Sequence, residues 1–263
     1  MAEDPTTVSR ETSPLDPRGG AGRDAAVGVG AGAGAGAGVS DSDSASVSVR
    51  LGGEIEVEPA GTAQVFGEQI TRARRFAADL AHYGEQLGLV GPLEASRLWS
   101  RHIINCAVVA PYLRAGGRLA DVGSGAGLPG LVLAIARPDV SVTLIEPMER
   151  RTDWLRDETA RLGLTNVTVL RARAEDAVSA GPFDQVTARA VSALIKLIPV
   201  TAPLLRRGGE LLFLKGARVA DEIAAATSVL RCHHVNDIEV LQLGEGIVPE
   251  VTRLFRATVG GAS

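Results

Sequence analysis

The twelve residues LADVGSGAGLPG, Leu119 to Gly130, place four glycines within the eight positions from Gly123 to Gly130, directly after an apolar run that ends at Val122. Backbone stripped of side chains lets a ligand approach closely, and a strand that runs through such a loop into a helix begins a ligand-binding α/β sheet. Spacing narrows the choice of ligand. Gly125 and Gly130 have the separation of a P-loop, but Leu131 and Val132 follow where Lys and Ser or Thr would hold a triphosphate and its magnesium. Gly125, Gly127 and Gly130 satisfy G-x-G-x-x-G, yet that frame starts two residues late and puts Pro129 in the helix entry. The earlier frame, opening at Gly123, would need its third glycine at Leu128. What fits without shifting is Asp121-x-Gly123-x-Gly125-x-Gly127. The nicotinamide or flavin reading stays open as the weaker alternative.

Around this motif the chain alternates helical stripes with short apolar runs. Apolar residues recur at helical spacing in residues 64–89 and again in 92–113, which predicts two helices before the first strand. Strand patterns then fall at 118–123, 141–147, 167–172, 183–190 and 209–216, with helical patterns at 128–137, 149–163, 192–207 and 218–231. Two further strands, 234–243 and 252–260, are joined by a loop without helical pattern, and so would pair antiparallel at one end. Continuous β-branched runs separated by helices predict a parallel sheet covered on both faces.

Composition divides the 263 residues in two. Residues 1–61 contain the run GAGAGAGAG followed by SDSDSASVS and few large apolar side chains, too little to offset the entropy of ordering, so a disordered acidic tail is expected there. That segment holds four Arg against ten Asp or Glu, a net of −6, which leaves the other 202 residues at +2 of the formal total of −4. A charge of +2 does not by itself announce a nucleic-acid binder. Only Lys196 and Lys215 among the 27 cations are lysines, so arginine abundance reflects composition rather than phosphate recognition. The acidic opening lacks a signal-peptide pattern and no run of about 18 apolar residues occurs, so a cytoplasmic chain without a membrane span is expected. Two distant cysteines, Cys106 and Cys232, suit a reducing compartment.

Asp-x-Gly-x-Gly-x-Gly resembles motif I of S-adenosylmethionine-dependent methyltransferases. The longer DVGSGAGLPG with LAIARPD behind it resembles a narrower family, the bacterial methyltransferases of guanine N7 in 16S ribosomal RNA, also called glucose-inhibited division protein B. RHIINC, ERRTDWLRDETARLGLTNV, RAED, FDQVTARA and LKG continue the likeness over residues 62 to 259. It implies a class I α/β methyltransferase fold: a mostly parallel seven-stranded sheet with one antiparallel strand, helices on both faces, and two added N-terminal helices. The domain would span 62–263, with 62–115 its helical extension.

The resemblance also implies a site. Gly123 and Gly125 would lie under S-adenosylmethionine, and Leu128, opening the next helix, would border it. Glu146 ends the second strand 23 residues beyond Gly123, where an acceptor-only carboxylate can take both hydrogen bonds of a ribose diol. Ala174 and Glu175 follow the third strand beside the expected adenine, which a backbone N–H there could read. Arg189 closes the fourth strand, and its planar, permanently charged fork would meet the cofactor or the incoming nucleotide. Lys215, ending the fifth strand, would contact phosphate or base.

Guanine N7 is a bare lone pair, so alignment can suffice without a general base. In keeping with this, neither Asn-Pro-Pro-aromatic nor Pro-Cys occurs, and no catalytic base is nominated. His102 reads as a packed histidine, and Cys232-His233-His234 lacks metal-ligand spacing, so no metal is expected. The expected partner is 16S RNA or a small-subunit precursor, bound by a monomer. Arg72 with Arg75, Arg97 with Arg101, and Arg150 with Arg151 are candidates for a phosphate track on the cofactor side, while nine aromatic residues offer no wide stacking platform.

Overall fold

The computed structural model describes residues 55–260. Most of the expected tail lies outside that range. Residues 55–61, also assigned to the tail, instead bond to the domain: Glu56 N–H donates to the Ala95 carbonyl, Glu56 Oε2 accepts from Ser100 N–H, and Glu58 pairs with Arg74 at 2.7 Å. The domain's contacts therefore begin before residue 62.

Seven strands form one sheet: β1 (Arg118–Val122), β2 (Ser141–Ile145), β3 (Val167–Leu170), β4 (Phe183–Arg189), β5 (Leu205–Lys215), β6 (Val235–Leu243) and β7 (Thr252–Val259). Their order is β3-β2-β1-β4-β5-β7-β6. β1 runs parallel to β2 and β4, whereas β7 is antiparallel to both β5 and β6. The direction of progression reverses between β1 and β4, so the crevice beyond their carboxyl ends is where such a sheet binds ligands.

Both faces are covered. On one, α1 (Thr62–Phe66), α2 (Ile70–Tyr83), the 92–113 stretch with its short α3 (Asn105–Ala107), α4 (Gly130–Ala136) and α5 (Glu149–Arg161) pack a core around Phe76, Leu80, Ile103, Leu131 and Leu155. On the other, α6 (Leu194–Thr201), α7 (Val219–Ala225) and α8 (Thr227–Cys232) enclose Phe183, Ile198, Phe213 and Phe255. Burial on both faces is why the central strands are mostly apolar, with Asp121, Gln185 and Thr187 as buried polar exceptions.

Five expected helices differ in detail: the 64–89 pattern breaks at a 3-10 turn (Gly67–Gln69) between α1 and α2 and ends at Tyr83, and the 192–207 pattern ends at Thr201, with Leu205–Arg207 already in β5. The 92–113 segment is not one helix but a 3-10 turn (Ala95–Arg97), a π-helical turn (Leu98–Ile104), α3 and a second 3-10 turn (Ala110–Tyr112). The 218–231 helix breaks at Ala226 into α7 and α8. Leu128 does not open α4, because α4 starts at Gly130, whose N–H is taken by the Asp121 side chain at 3.0 Å.

Candidate active site

The glycine loop leaves β1 with Gly123, Gly125 and Gly127 at φ of 72°, 54° and 94°, the left-handed region that favours glycine. Gly123 and Ser124 N–H both donate to the Ile145 carbonyl, tying the loop to the end of β2. Three side chains then fix its shape. Asp121 Oδ2 accepts from Gly130 N–H, Glu146 Oε2 accepts from Gly125 N–H at 3.0 Å, and Trp154 Nε1 donates to the Ala126 carbonyl at 3.1 Å.

Glu146 is almost fully buried and also accepts from Met148 N–H at 3.0 Å. A carboxylate has about four lone-pair sites, so two remain for a ribose diol. Beneath the loop, Asp121 is wholly buried, its Oδ1 has no partner among the described residues, and burial pushes its pKa up to about 7.

A groove of about 410 Å³ opens at this end of the sheet, lined by Gly123, Glu146, Arg151, Ala174 and Glu175 among others. Arg151 Nε is a second buried polar atom left without a partner among the described residues. A glycine floor, a buried carboxylate and unspent polar atoms fit an adenosyl ligand. Leu128 is buried and Gly125 reaches the groove only through its bond to Glu146; neither lines it.

A larger pocket of about 740 Å³ adjoins, lined by Arg101, His102, Arg189, Lys215, Glu222 and Arg253 among others. The two cavities share Ala190 and Val191 as a common wall. Ala190 sits at φ 55°, a costly conformation for a residue with a Cβ and one that clusters at working sites.

Arg189 is half-buried and, among the described residues, does not pair with an acid. Its Nη1 donates to the Arg101 carbonyl and to Cys106 Sγ, both at 3.2 Å, and its Nη2 meets His102 Nδ1. Burial, then the Arg189 charge, lowers the His102 pKa to about 4, and burial raises the Cys106 thiol. Lys215 is not a free strand-end cation: its ammonium is 2.7 Å from Glu222 and donates to the Ser192 carbonyl at 2.9 Å. Glu222 Oε2 also accepts from Leu194 N–H at the start of α6.

The expected arginine track is not assembled. Arg72 bonds the Leu162 carbonyl at the far end of α5, Arg75 pairs with Asp79, and Arg97 and Arg101 share Glu94. Of that set, Arg101 and Arg151 line the two cavities. Sequence reasoning missed the acceptors around Arg189, which lie 83 or more residues away in the chain, and the partner of Lys215, which lies only seven residues on but across the turn from β5 into α7. Among the described residues no group of three or more His, Cys, Asp or Glu is placed to hold a metal, and no helix is long and apolar enough to cross a membrane.

A sheet ordered 3-2-1-4-5-7-6 with β7 alone reversed, a glycine loop after β1 and a carboxylate at the end of β2 define a class I S-adenosylmethionine-dependent methyltransferase. The family model described as GidB, rRNA small subunit methyltransferase G, matches residues 69–251, and the chain belongs to that family. Ribosomal RNA small subunit methyltransferase G of Leifsonia xyli subsp. xyli is 62% identical over 205 residues, 78% of this chain and 98% of the relative. The protein of the same name from Clavibacter sepedonicus is 58% identical over 205 residues, 78% of this chain and 97% of its own. Among solved structures, cofactor-bound Rv0187 from MTB shares the fold with a TM-score of 0.51 at 18% identity, covering 76% of this chain and 94% of that one. Family membership closes the dinucleotide alternative: the cofactor is S-adenosylmethionine.

Proposed function

We propose that the chain methylates N7 of a guanine in 16S ribosomal RNA, binding S-adenosylmethionine in the smaller groove and the target nucleotide in the larger pocket. The observation that carries this reading is the wall of Ala190 and Val191 shared by the two cavities, where donor and acceptor atoms can meet. When bound, the cofactor supplies an electrophilic methyl group on a sulfonium.

The chain's own residues hold and align. Gly123 keeps the floor low, Gly125 holds Glu146 through its N–H, Leu128 backs the loop from the core, and Glu146 takes the ribose hydroxyls. Ala174 and Glu175 border the adenine. Arg189 stands at the reacting end and touches cofactor, nucleotide or both, and Lys215 completes the acceptor side. No side chain has to remove a proton, because the attacking N7 carries none. Among the described residues, His102 is the one histidine that lines either cavity, and its Nδ1 lone pair already faces an arginine donor. The acting unit is taken as a monomer, and a 16S RNA or small-subunit precursor as substrate puts it in the cytoplasm.

Mass mapping of N7-methylguanine in small-subunit RNA, from cells with and without this chain, tests the reading. The modification should vanish without the chain, return with the wild type and stay absent with Arg189→Ala. Full modification by Arg189→Ala would falsify the role given to that residue. Methyl transfer to another substrate class, with none to RNA, would overturn the substrate.

A further inference from the structure

His102 is buried on the π-helical turn, away from the glycine loop, yet both of its ring nitrogens are engaged. Nε2 lies 2.6 Å from Glu94 Oε2, and Nδ1 meets Arg189 Nη2. An arginine only donates, so Nδ1 must accept, and the ring proton must sit on Nε2, where Glu94 receives it. The imidazole is thereby fixed as one neutral tautomer.

The same stretch supplies the other acceptors of Arg189, the Arg101 carbonyl and Cys106 Sγ. Arg101 lies in the π-helical turn and Cys106 in α3 directly after it. Three of the five N–H donors of the guanidinium are thus held, and two remain at a side chain that lines the larger pocket. A carboxylate in place of the ring would offer two oxygens to the fork and cancel its charge. A neutral ring backed by Glu94 orients the fork while leaving that charge for the site.

We propose that His102, oriented by Glu94, is a positioning residue that sets the Arg189 guanidinium in the larger pocket, beside the Ala190 and Val191 wall that the two cavities share. The proposal rests on the reading of Arg189 as the residue at the reacting end. It gives the N-terminal extension a part in the reaction rather than in the core alone.

A double-substitution cycle tests it. Wild type, His102→Ala, Arg189→Ala and the double variant are compared for S-adenosylhomocysteine affinity by calorimetry, and for kcat and KM of methyl transfer to small-subunit RNA. His102→Ala should lower whichever parameter Arg189→Ala lowers, by about ten- to a hundred-fold, the range of a hydrogen bond to a charged group. Added to Arg189→Ala it should change nothing further. His102→Asn, whose amide oxygen can accept from Arg189, should recover part of the loss, and it stands in for the alanine variant if that one does not fold. Multiplying effects in the double variant, or wild-type values for the His102 variants in both assays, overturn the proposal. A wild-type chain that binds the cofactor but methylates no small-subunit RNA overturns the substrate reading instead. The cycle is then read on cofactor affinity alone, where an unaffected Arg189→Ala also defeats it.

Discussion

Two glycines of one loop answer to different demands. A Cβ on Gly130 would meet Leu144 Cδ2 at 2.3 Å and Asp121 Oδ2 at 2.5 Å, inside the core. A Cβ on Gly125 would find only the Gly123 carbonyl at 3.8 Å, although its φ of 54° disfavours any side chain. Gly130→Ala should therefore lose about 2–3 kcal/mol of stability by overpacking, read as a lower urea midpoint. Gly125→Ala should lose about 1–2 kcal/mol from backbone strain while S-adenosylhomocysteine affinity falls at least about ten-fold. Equal loss of affinity per unit of lost stability in the two variants would defeat the distinction. The alternating glycines were legible because their spacing is itself the signal. Their division of labour was not, because it depends on Leu144 and Asp121 closing around one position and open space around another.

Elements were legible where burial is uniform along them. The central strands, buried on both faces, announced themselves; the antiparallel β6–β7 pair was legible from the short non-helical loop between two strand patterns, although most of β6 is exposed. The 92–113 stretch has helical spacing and is nonetheless four short pieces, and its bonds to Arg189 come from 83 or more residues away, which nothing local records. The coupling of α5 to the glycine loop is of the same kind. Trp154, buried on α5, carries the donor that the Ala126 carbonyl receives, so the helix after β2 holds the loop after β1. Trp154→Phe keeps most of the apolar contact and removes that bond. It should cost about 1–3 kcal/mol by leaving a buried carbonyl unpaired. It should also weaken S-adenosylhomocysteine binding, measured by calorimetry, without changing secondary structure by circular dichroism. Unchanged affinity would show that the loop keeps its shape unaided.

Across the whole molecule, the sequence suggested fold and family because glycine spacing and hydrophobic period are local, while the network of buried charge is long-range and was hidden. Glu158 on α5 is fully buried beside Asp79 of α2, and burial, then the Asp79 charge, pushes its pKa up to about 8. Asp121 is pushed up to about 7. Both hold a proton more tightly in the folded chain than in the unfolded one, where carboxylates titrate near 4. Unfolding therefore releases protons, and stability falls as pH rises toward these folded values. His102 acts with the opposite sign: its folded pKa of about 4 lies below the ordinary value of 6.5, so its contribution grows as pH rises and is nearly complete above 6.5. Asp139, held at about 2 by Arg137, is already ionised in both states throughout this range. Between pH 6.5 and 8.5 the two raised carboxylates dominate, so the urea midpoint should decrease across that window. Asp121→Asn should flatten the part near pH 7 and Glu158→Gln the part near pH 8, each raising stability at pH 8.5 relative to pH 6.5. A midpoint that holds level or climbs in the wild type, or variants that keep its full slope, would mean that these carboxyls ionise without strain in the fold.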